Sequence, residues 1–422
     1  MPRRFLNLGP NAPTFFGDSL EVSASGRLFV SQPIMLLSSQ QQYGDNADIW
    51  ETAVAGTGAI TFLPNESTIQ MSPGGTASGA SVIRQTKLYQ RYTPGHGLTI
   101  HETFCFDGGV DPNIIGNTRR LGYYDANDGV FLEAANGIVS FCQRSSITGT
   151  PSDALKVPQS LWSHDAFDGT GPSGKTIDWS KAQSLLIDLR WLGVGRVRLA
   201  FEIDGTAFLA HEFLNANVNP TVYMKTANLP CRFETVNTAT ASSTQTLRQI
   251  CVSVESGGGV EPSYGKMFTY NNGGAGTAIG SGARIPLISV RAKTAGPNSV
   301  RNTGRILIGQ YDVAAIGANP VFWELVLNPT LTSASFAAVD VNNSIAEVDK
   351  AATAVSGGVV LDAGYLSASA QSKGLSTQFA DLKSLVLTYS GLLNHQDVMT
   401  LVGSAPGGAT TAFANLQWLE MW

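Results

Sequence analysis

Three stretches of the chain carry residue types whose spacing could do chemistry. The first is Gly17-Asp18-Ser19-Leu20, inside TFFGDSLEVSASGRLFV. A serine there suits acyl transfer, provided that an imidazole takes its proton and an acid orients that imidazole. Esterases that use this tetrapeptide bring the histidine late in the chain as Asp-x-x-His. The five histidines here are His96, His101, His164, His211 and His395, and none has an aspartate three residues ahead. Ser19 therefore reads as a polar turn entering a strand. The second stretch is FEIDGTAF, where Glu202 and Asp204 lie two apart and so share one face of a strand. A retaining glycosidase needs a nucleophile and an acid close together on such a face. The second glutamate of that pattern falls at Thr206 or Ala207, and neither is a carboxylate. Glu202 is then a solvated or ion-paired sheet residue beside Arg198. The third is DANDG, Asp125 to Gly129, which resembles the start of a calcium loop but lacks the remaining ligands and the distal glutamate. A hairpin turn is the expectation there.

Cofactor chemistry has equally little to stand on. GGAGTAIGSG spells no dinucleotide fingerprint, and no Gly-Lys-Ser/Thr follows a glycine loop. The expectation is no cofactor, no metal and no catalytic activity. Trp162, Trp179, Tyr223 and Tyr264 lie in turn-like surroundings. They are candidates for stacking on sugars, with a core or interface role as the alternative.

The elements that hold these residues read as strands. Only 14% of the 422 residues are charged, against roughly 25% in a usual soluble domain. Glycine is abundant at 45 residues, a turn-rich signature. In RVRLAFEIDG, Val197, Leu199, Phe201 and Ile203 alternate with Arg196, Arg198, Ala200, Glu202 and Asp204, and Asp204-Gly205 supplies a hairpin turn. SLLIDLRWLG alternates in the same way, with Leu185, Ile187, Leu189 and Trp191 inward. A second hairpin is expected at YYDANDGVFLE, and DWSKAQ could form one helical turn. DLKSLVLTYSG, late in the chain, has a build similar to KAQSLLIDLRWLG. The prediction is an all-β chain of two jelly-roll-like sandwiches. Residues 1–45 form an extended arm, 46–256 the first sandwich, 257–284 a glycine-rich linker or loop, and 285–422 the second sandwich.

The net charge of −5 gives no basic footprint for nucleic acid. No apolar run has the length of a signal peptide or a membrane span. Cys105, Cys142, Cys231 and Cys251 are scattered through apolar stretches without paired spacing, and are expected to be buried free thiols.

One block is more distinctive: WSHDAFDGTGPSGKTIDWSKAQSLLIDLRWLGVGRVRLAFEIDG, continuing into YMKTANLPCRFE. Its Asp168-Gly169-x-Gly171-Pro172-Ser173-Gly174 and its WLGVGRVR run resemble a family of tailed-bacteriophage structural proteins. WLGVGRVR contains Trp191, Gly193, Gly195, Arg196 and Arg198. The resemblance implies a concanavalin-like jelly roll in a virion component made in the bacterial cytoplasm. It also implies other virion proteins as partners and a homo-oligomer, with a trimer favoured. A tail, baseplate or fibre position with attachment to a host-surface glycan is the reading. Head decoration and polysaccharide depolymerisation are the alternatives.

Overall fold

Alternating strands need a second apolar layer to cover their inward side, and each half of this chain supplies one. The computed structural model describes residues 33–258, 265–367, 377–378 and 386–422. The chain divides into two compact units, Met1–Glu261 and Pro262–Trp422. Fifteen strands make up the described part of the first. They are β1 (Ile34–Gln40), β2 (Trp50–Ala55), β3 (Ala59–Leu63), β4 (Thr68–Ser72), β5 (Ser81–Thr86), β6 (Leu98–Phe106), β7 (Asn117–Tyr124) and β8 (Gly129–Ala135). There follow β9 (Ile138–Ser145), β10 (Ser152–Pro158), β11 (Gln183–Leu189), β12 (Val197–Ile203), β13 (Thr206–Phe213), β14 (Cys231–Asn237) and β15 (Leu247–Ser256). One sheet runs β13-β12-β11-β6-β15-β4-β3, with β1 also on β15, and the other runs β10-β9-β8-β7-β14-β5-β2. The chain crosses repeatedly between the two, as in a jelly roll.

The core lies between these sheets. Ile100, Phe104, Leu185, Ile187, Leu199 and Phe201 meet Trp50, Leu121, Tyr123, Leu132, Phe141 and Phe233. Along β12, Val197, Leu199 and Phe201 are buried, Arg198 is half-buried and Glu202 is exposed. Ala200 is buried as well, opposite a bulge in β13. Asp204 (φ 52) and Gly205 (φ 77) both take the left-handed conformation that a two-residue I′ turn requires. The hairpin at residues 125–128 joins β7 to β8, with Gly129 opening β8.

In the second unit one sheet has Lys266–Asn271, Thr410–Met421 and Arg305–Ile316 as neighbours. The other runs Ala337–Ala338, Ala346–Asp349, Arg284–Ala292, Val398–Ser404, Val321–Leu327 and Val359–Leu366. Tyr311, Trp323, Leu325, Leu401 and Trp418 form its core. The buried Glu420 carboxylate accepts hydrogen bonds from Ser344 Oγ at 2.6 Å, Ile345 N at 2.7 Å and Trp418 Nε1 at 2.9 Å.

Several expectations need correction. Residues 34–40 are not free arm but β1; a bulge between Met35 and Leu37 hides the alternation that would have marked it. The stretch 257–284 holds two strands, Lys266–Asn271 and Thr277–Ile279, both paired to Thr410–Met421. Its glycines turn the chain between them, with Gly276 N donating to Gly273 O. DWSKAQ forms a turn and no helix, because the Asp178 carboxylate accepts from Ser180 N and Oγ. Two three-residue 3₁₀ turns are the helical elements of the described residues. DLKSLVLTYSG does not repeat β11: its described part is two two-residue strands in different sheets. Cys105, Cys142 and Cys231 are buried free thiols, but Cys251 is exposed. An irregularity between Gln249 and Val252 in β15 breaks the alternation and puts Cys251 outward. No helix of the described residues is long and apolar enough to cross a membrane.

Candidate functional site

The outer face of the second sheet in the first unit concentrates the polar chemistry. Its inner positions, Leu121, Tyr123, Leu132, Phe141 and Phe233, go to the core. Period two then sends Arg120 and Tyr124 of β7, Phe131 and Glu133 of β8, Cys142 and Arg144 of β9, and Arg232 and Glu234 of β14 to the other side. The register lines them up in rows. Glu234, Arg120 and Glu133 are direct cross-strand neighbours on three successive strands. One row along, Arg232, Gly122, Phe131 and Cys142 stand opposite one another.

Ion pairs bind the rows together. Arg120 donates from Nε to Glu133 at 2.7 Å and from a terminal nitrogen to Glu234 at 2.8 Å. Lys156 of β10 holds the second Glu133 oxygen, and Arg232 the second Glu234 oxygen at 3.0 Å. Arg144 grips Asp153 with two hydrogen bonds, of 2.7 and 2.9 Å. The guanidiniums also roof the aromatics. Arg144 lies over Tyr124 and Phe131, Arg232 over Tyr124, and Arg120 over Phe131, with centroid distances of 5.0–5.9 Å. That roof accounts for the burial of Tyr124, Phe131 and Cys142 on an outward face.

Each titration follows from this packing. Burial alone would lower the Arg120 pKa, but Glu234 and Glu133 outweigh it and raise it. Burial alone would raise Asp153, but the Arg144 hydrogen bonds hold it low. Burial pushes the Tyr124 hydroxyl up and the Cys142 thiol to about 12. Tyr124 OH and Arg232 Nε are buried with no hydrogen-bond partner among the described residues. Chemically, the face is a fixed array of planar donors and acceptors. All four oxygens of Glu133 and Glu234 are engaged by cations, so neither carboxylate presents a free oxygen as nucleophile or acid.

The motif residues have other work. Asp168 accepts from Thr170 N and Oγ1. Gly169 (φ 88) and Gly174 (φ 63) take left-handed turns, and any side chain at Gly171 would collide with the buried Asp165 carboxylate. WLGVGRVR spans the β11–β12 connection and the first two residues of β12. A side chain at Gly195 would overlap the Arg190 carbonyl, and Gly193 (φ 76) accepts from Tyr223 N. Trp191 Nε1 donates to Met224 O at 3.2 Å. Arg198 pairs with Asp188, and Arg196 with Glu212 at 3.3 Å. These words of sequence set turns and docking of loops.

The aromatic candidates are corrected in part. Trp162 and Tyr223 are core residues, 7% and 2% exposed, and Trp162 stacks on Phe141 at 4.3 Å. Trp179 is half-buried against Phe201 at 5.6 Å and donates from Nε1 to Gln159. Trp162 and Tyr223 therefore offer no free ring face of the kind a sugar needs. Tyr264 and Ser19 lie outside the described residues.

Glu202 stands exposed between Ser184 and Ala207, while Arg198 is taken by Asp188. Ser163, His164, His211 and Glu212 do come together, with the wrong bond directions for acyl transfer. His211 Nδ1 accepts from Ser163 N, and Ser163 Oγ accepts from Glu212 N. Asp125 and Asp128 spend their carboxylates on the backbone N–H groups of Asn127, Asp128, Ser146 and Lys225. No group of three potential metal ligands occurs among the described residues.

The outer-face network escaped sequence reading because its members are spread over five strands. The signal present was local: Arg-x-Glu in CRFETVN and Arg-x-x-x-Tyr in TRRLGYY, each on the polar side of a strand.

No family model matches the chain, and no curated protein sequence does. Among solved structures, it is similar to an endo-β-1,4-glucuronan lyase from the fungus Trichoderma reesei. That match has 10% identity and a TM-score of 0.35, covering 52% of this chain and 95% of the lyase. It is likewise similar to an endo-1,3-β-glucanase from Streptomyces sioyaensis, at 8% identity and TM-score 0.35, covering 53% and 96%. A legume lectin-like domain from Entamoeba histolytica matches at 11% and TM-score 0.31, covering 52% and 95%.

Proposed function

We propose that this chain is a non-catalytic structural component of a tailed-bacteriophage virion, assembled in the bacterial cytoplasm as a closed homo-oligomer. In this reading it sits on the tail, baseplate or fibre, and the outer face of its first sandwich contacts host-surface glycan. The observation that supports an adhesive rather than a cleaving face is the ladder Glu234–Arg120–Glu133. Its carboxylates are locked by Arg120, Arg232 and Lys156 into a static array. Such an array suits hydrogen bonding to hydroxyls on a rigid sheet. The motif block of the phage resemblance goes into turns that build this sandwich, in keeping with a scaffold role.

The test has two arms. Electron microscopy of labelled virions locates the protein; a head position would replace attachment with decoration. Purified protein is also titrated with polysaccharide from host cells. Lys156 and Asp153 are the more exposed members of the network. Changing both to alanine is expected to weaken binding by roughly tenfold, about 1.4 kcal/mol, with no release of reducing sugar from either protein. Sugar release that disappears in Glu133→Gln would establish the depolymerase instead.

A further inference from the structure

The two ends of the first sandwich carry different things. β1 starts beside Ser256 and β15 ends beside Leu98, so the described chain enters and leaves the unit at one end. The β6–β7, β8–β9 and β14–β15 connections build the other. Hydrogen bonds lock those three together. Gly116 N donates to Asn136 Oδ1 at 3.0 Å, Ile115 N to Ser242 Oγ at 3.1 Å and Ala239 N to Gly116 O at 3.2 Å. Between them lies a small cavity, lined by the exposed Asp111 and by the buried Arg119 and Gln245, with room for one water-sized group.

Two polar atoms of its lining residues are orphans. Arg119 is 4% exposed. It spends one terminal nitrogen on Asp107 O at 3.1 Å and Thr246 O at 3.2 Å, and the other on Gly109 O at 2.6 Å. Its Nε–H is left buried without a partner among the described residues. Burial lowers its pKa to about 10, against the pull of Asp107, so the group is charged at neutral pH. Gln245 is 6% exposed and donates from Nε2 to Ser243 Oγ at 3.0 Å and Thr244 O at 3.1 Å. A carbonyl can only accept, so the amide orientation is fixed and Oε1 is the second orphan. Unmade hydrogen bonds of buried groups are costly, most of all at a charged one.

A lone donor and a lone acceptor in one void ask for a group that does both, and a hydroxyl does. An anion would meet the Gln245 oxygen and the Asp111 carboxylate, and an ammonium would meet the guanidinium. Val110, Ile114 and Ala135 supply apolar wall for the carbon that carries the hydroxyl. Asp111 Oδ1 is held by Asn113 N and Nδ2, both at 2.8 Å, which leaves Oδ2 for a further hydroxyl. We propose that this end of the first sandwich is a subsite for a neutral sugar. One ring hydroxyl enters the cavity, accepts from Arg119 Nε and donates to Gln245 Oε1, while a neighbouring hydroxyl donates to Asp111. The subsite rests on the attachment reading for its glycan ligand, and it lies apart from the outer-face ladder.

The test is saturation-transfer NMR on the full chain, with D-glucose, D-galactose, D-mannose and N-acetyl-D-glucosamine as probes and D-glucuronate as the charged comparator. At least one neutral sugar is expected to receive saturation, and more than glucuronate does. Silence from every neutral sugar would mean that the cavity takes water only and would overturn the proposal, as would a stronger signal from glucuronate. Gln245→Met removes the acceptor and Ala135→Leu adds bulk at the wall. Each is expected to weaken the sugar roughly tenfold, the scale of one hydrogen bond, with unchanged circular dichroism. Asp111→Asn changes an exposed side chain, so it reads the site even where the buried changes disturb folding, and about threefold weaker binding is expected. An affinity that survives all three refutes the site. In the Lys156→Ala, Asp153→Ala protein the monosaccharide affinity must be unchanged, and a loss there places the sugar on the outer face instead. The two readings fail separately, since the ladder variant leaves this cavity whole and the cavity variants leave the ladder whole.

Discussion

Glu102 is the residue whose chemistry is most at odds with its surroundings. It sits on β6 between Leu185 and Val252, in the core between the sheets, and is fully buried. The Cys231 thiol lies beside it as its side-chain hydrogen-bond partner, and no other group of the described residues bonds to the carboxyl. Burial pushes the Glu102 carboxyl well above its usual range, and burial with Glu102 beside it pushes the Cys231 thiol up as well. Burial therefore favours the protonated form of Glu102 in the fold. With the folded pKa raised above the unfolded one, there is no penalty below the unfolded value of about 4.3. Above it, stability falls as pH rises toward the folded value. Glu102→Gln keeps the shape and removes the ionisation. Its melting temperature relative to wild type is expected to climb steadily from pH 4 to pH 8. A difference that stays flat with pH would mean that Glu102 is already charged in the fold.

At the scale of elements, alternation is legible in the sequence wherever a strand runs without interruption, and illegible where a bulge or a long-range partner decides. Residues 185–203 display both faces, and the Asp204-Gly205 turn after them, in the order of their residue types alone. β1 is hidden by its bulge, and Lys266–Asn271 by the glycines that follow it. The outer-face ladder needs the register of β14 on β7, which is set by contacts more than one hundred residues apart in sequence. β15 shows what one irregularity does. Its alternation puts Leu247 and Gln249 inward, then slips, so that Cys251 faces out and Val252 in. One thiol is thus expected to react with an alkylating reagent in the native protein, and four after denaturation without reductant. Intact mass reads both numbers. Replacing Cys251 with serine should abolish the native reaction, and a residual native adduct would place a second thiol at the surface.

At the scale of the whole molecule, each unit closes its own hydrophobic cluster. The residues of the first run from Trp50 to Val254 and those of the second from Ile279 to Trp418. Stability is then a property of each unit, as expected when core residues are not shared between domains. Phe201 is the hub of the first. Its ring meets Phe167 at 5.4 Å, Trp179 at 5.6 Å, Trp162 at 5.9 Å and Phe141 at 6.0 Å. Truncation there loses the transfer free energy and leaves a cavity, about 3–5 kcal/mol in all. Arg196→Ala, on the same strand's approach and half exposed, breaks only a surface pair and should cost less than about 1 kcal/mol. Calorimetry is expected to resolve two transitions. Phe201→Ala should lower one and leave the other in place, while Trp418→Ala should do the reverse. If either substitution moved both transitions equally, the two sandwiches would have to be one cooperative body. The strand Val359–Leu366 and the outer-face ladder would then be parts of a single folding unit.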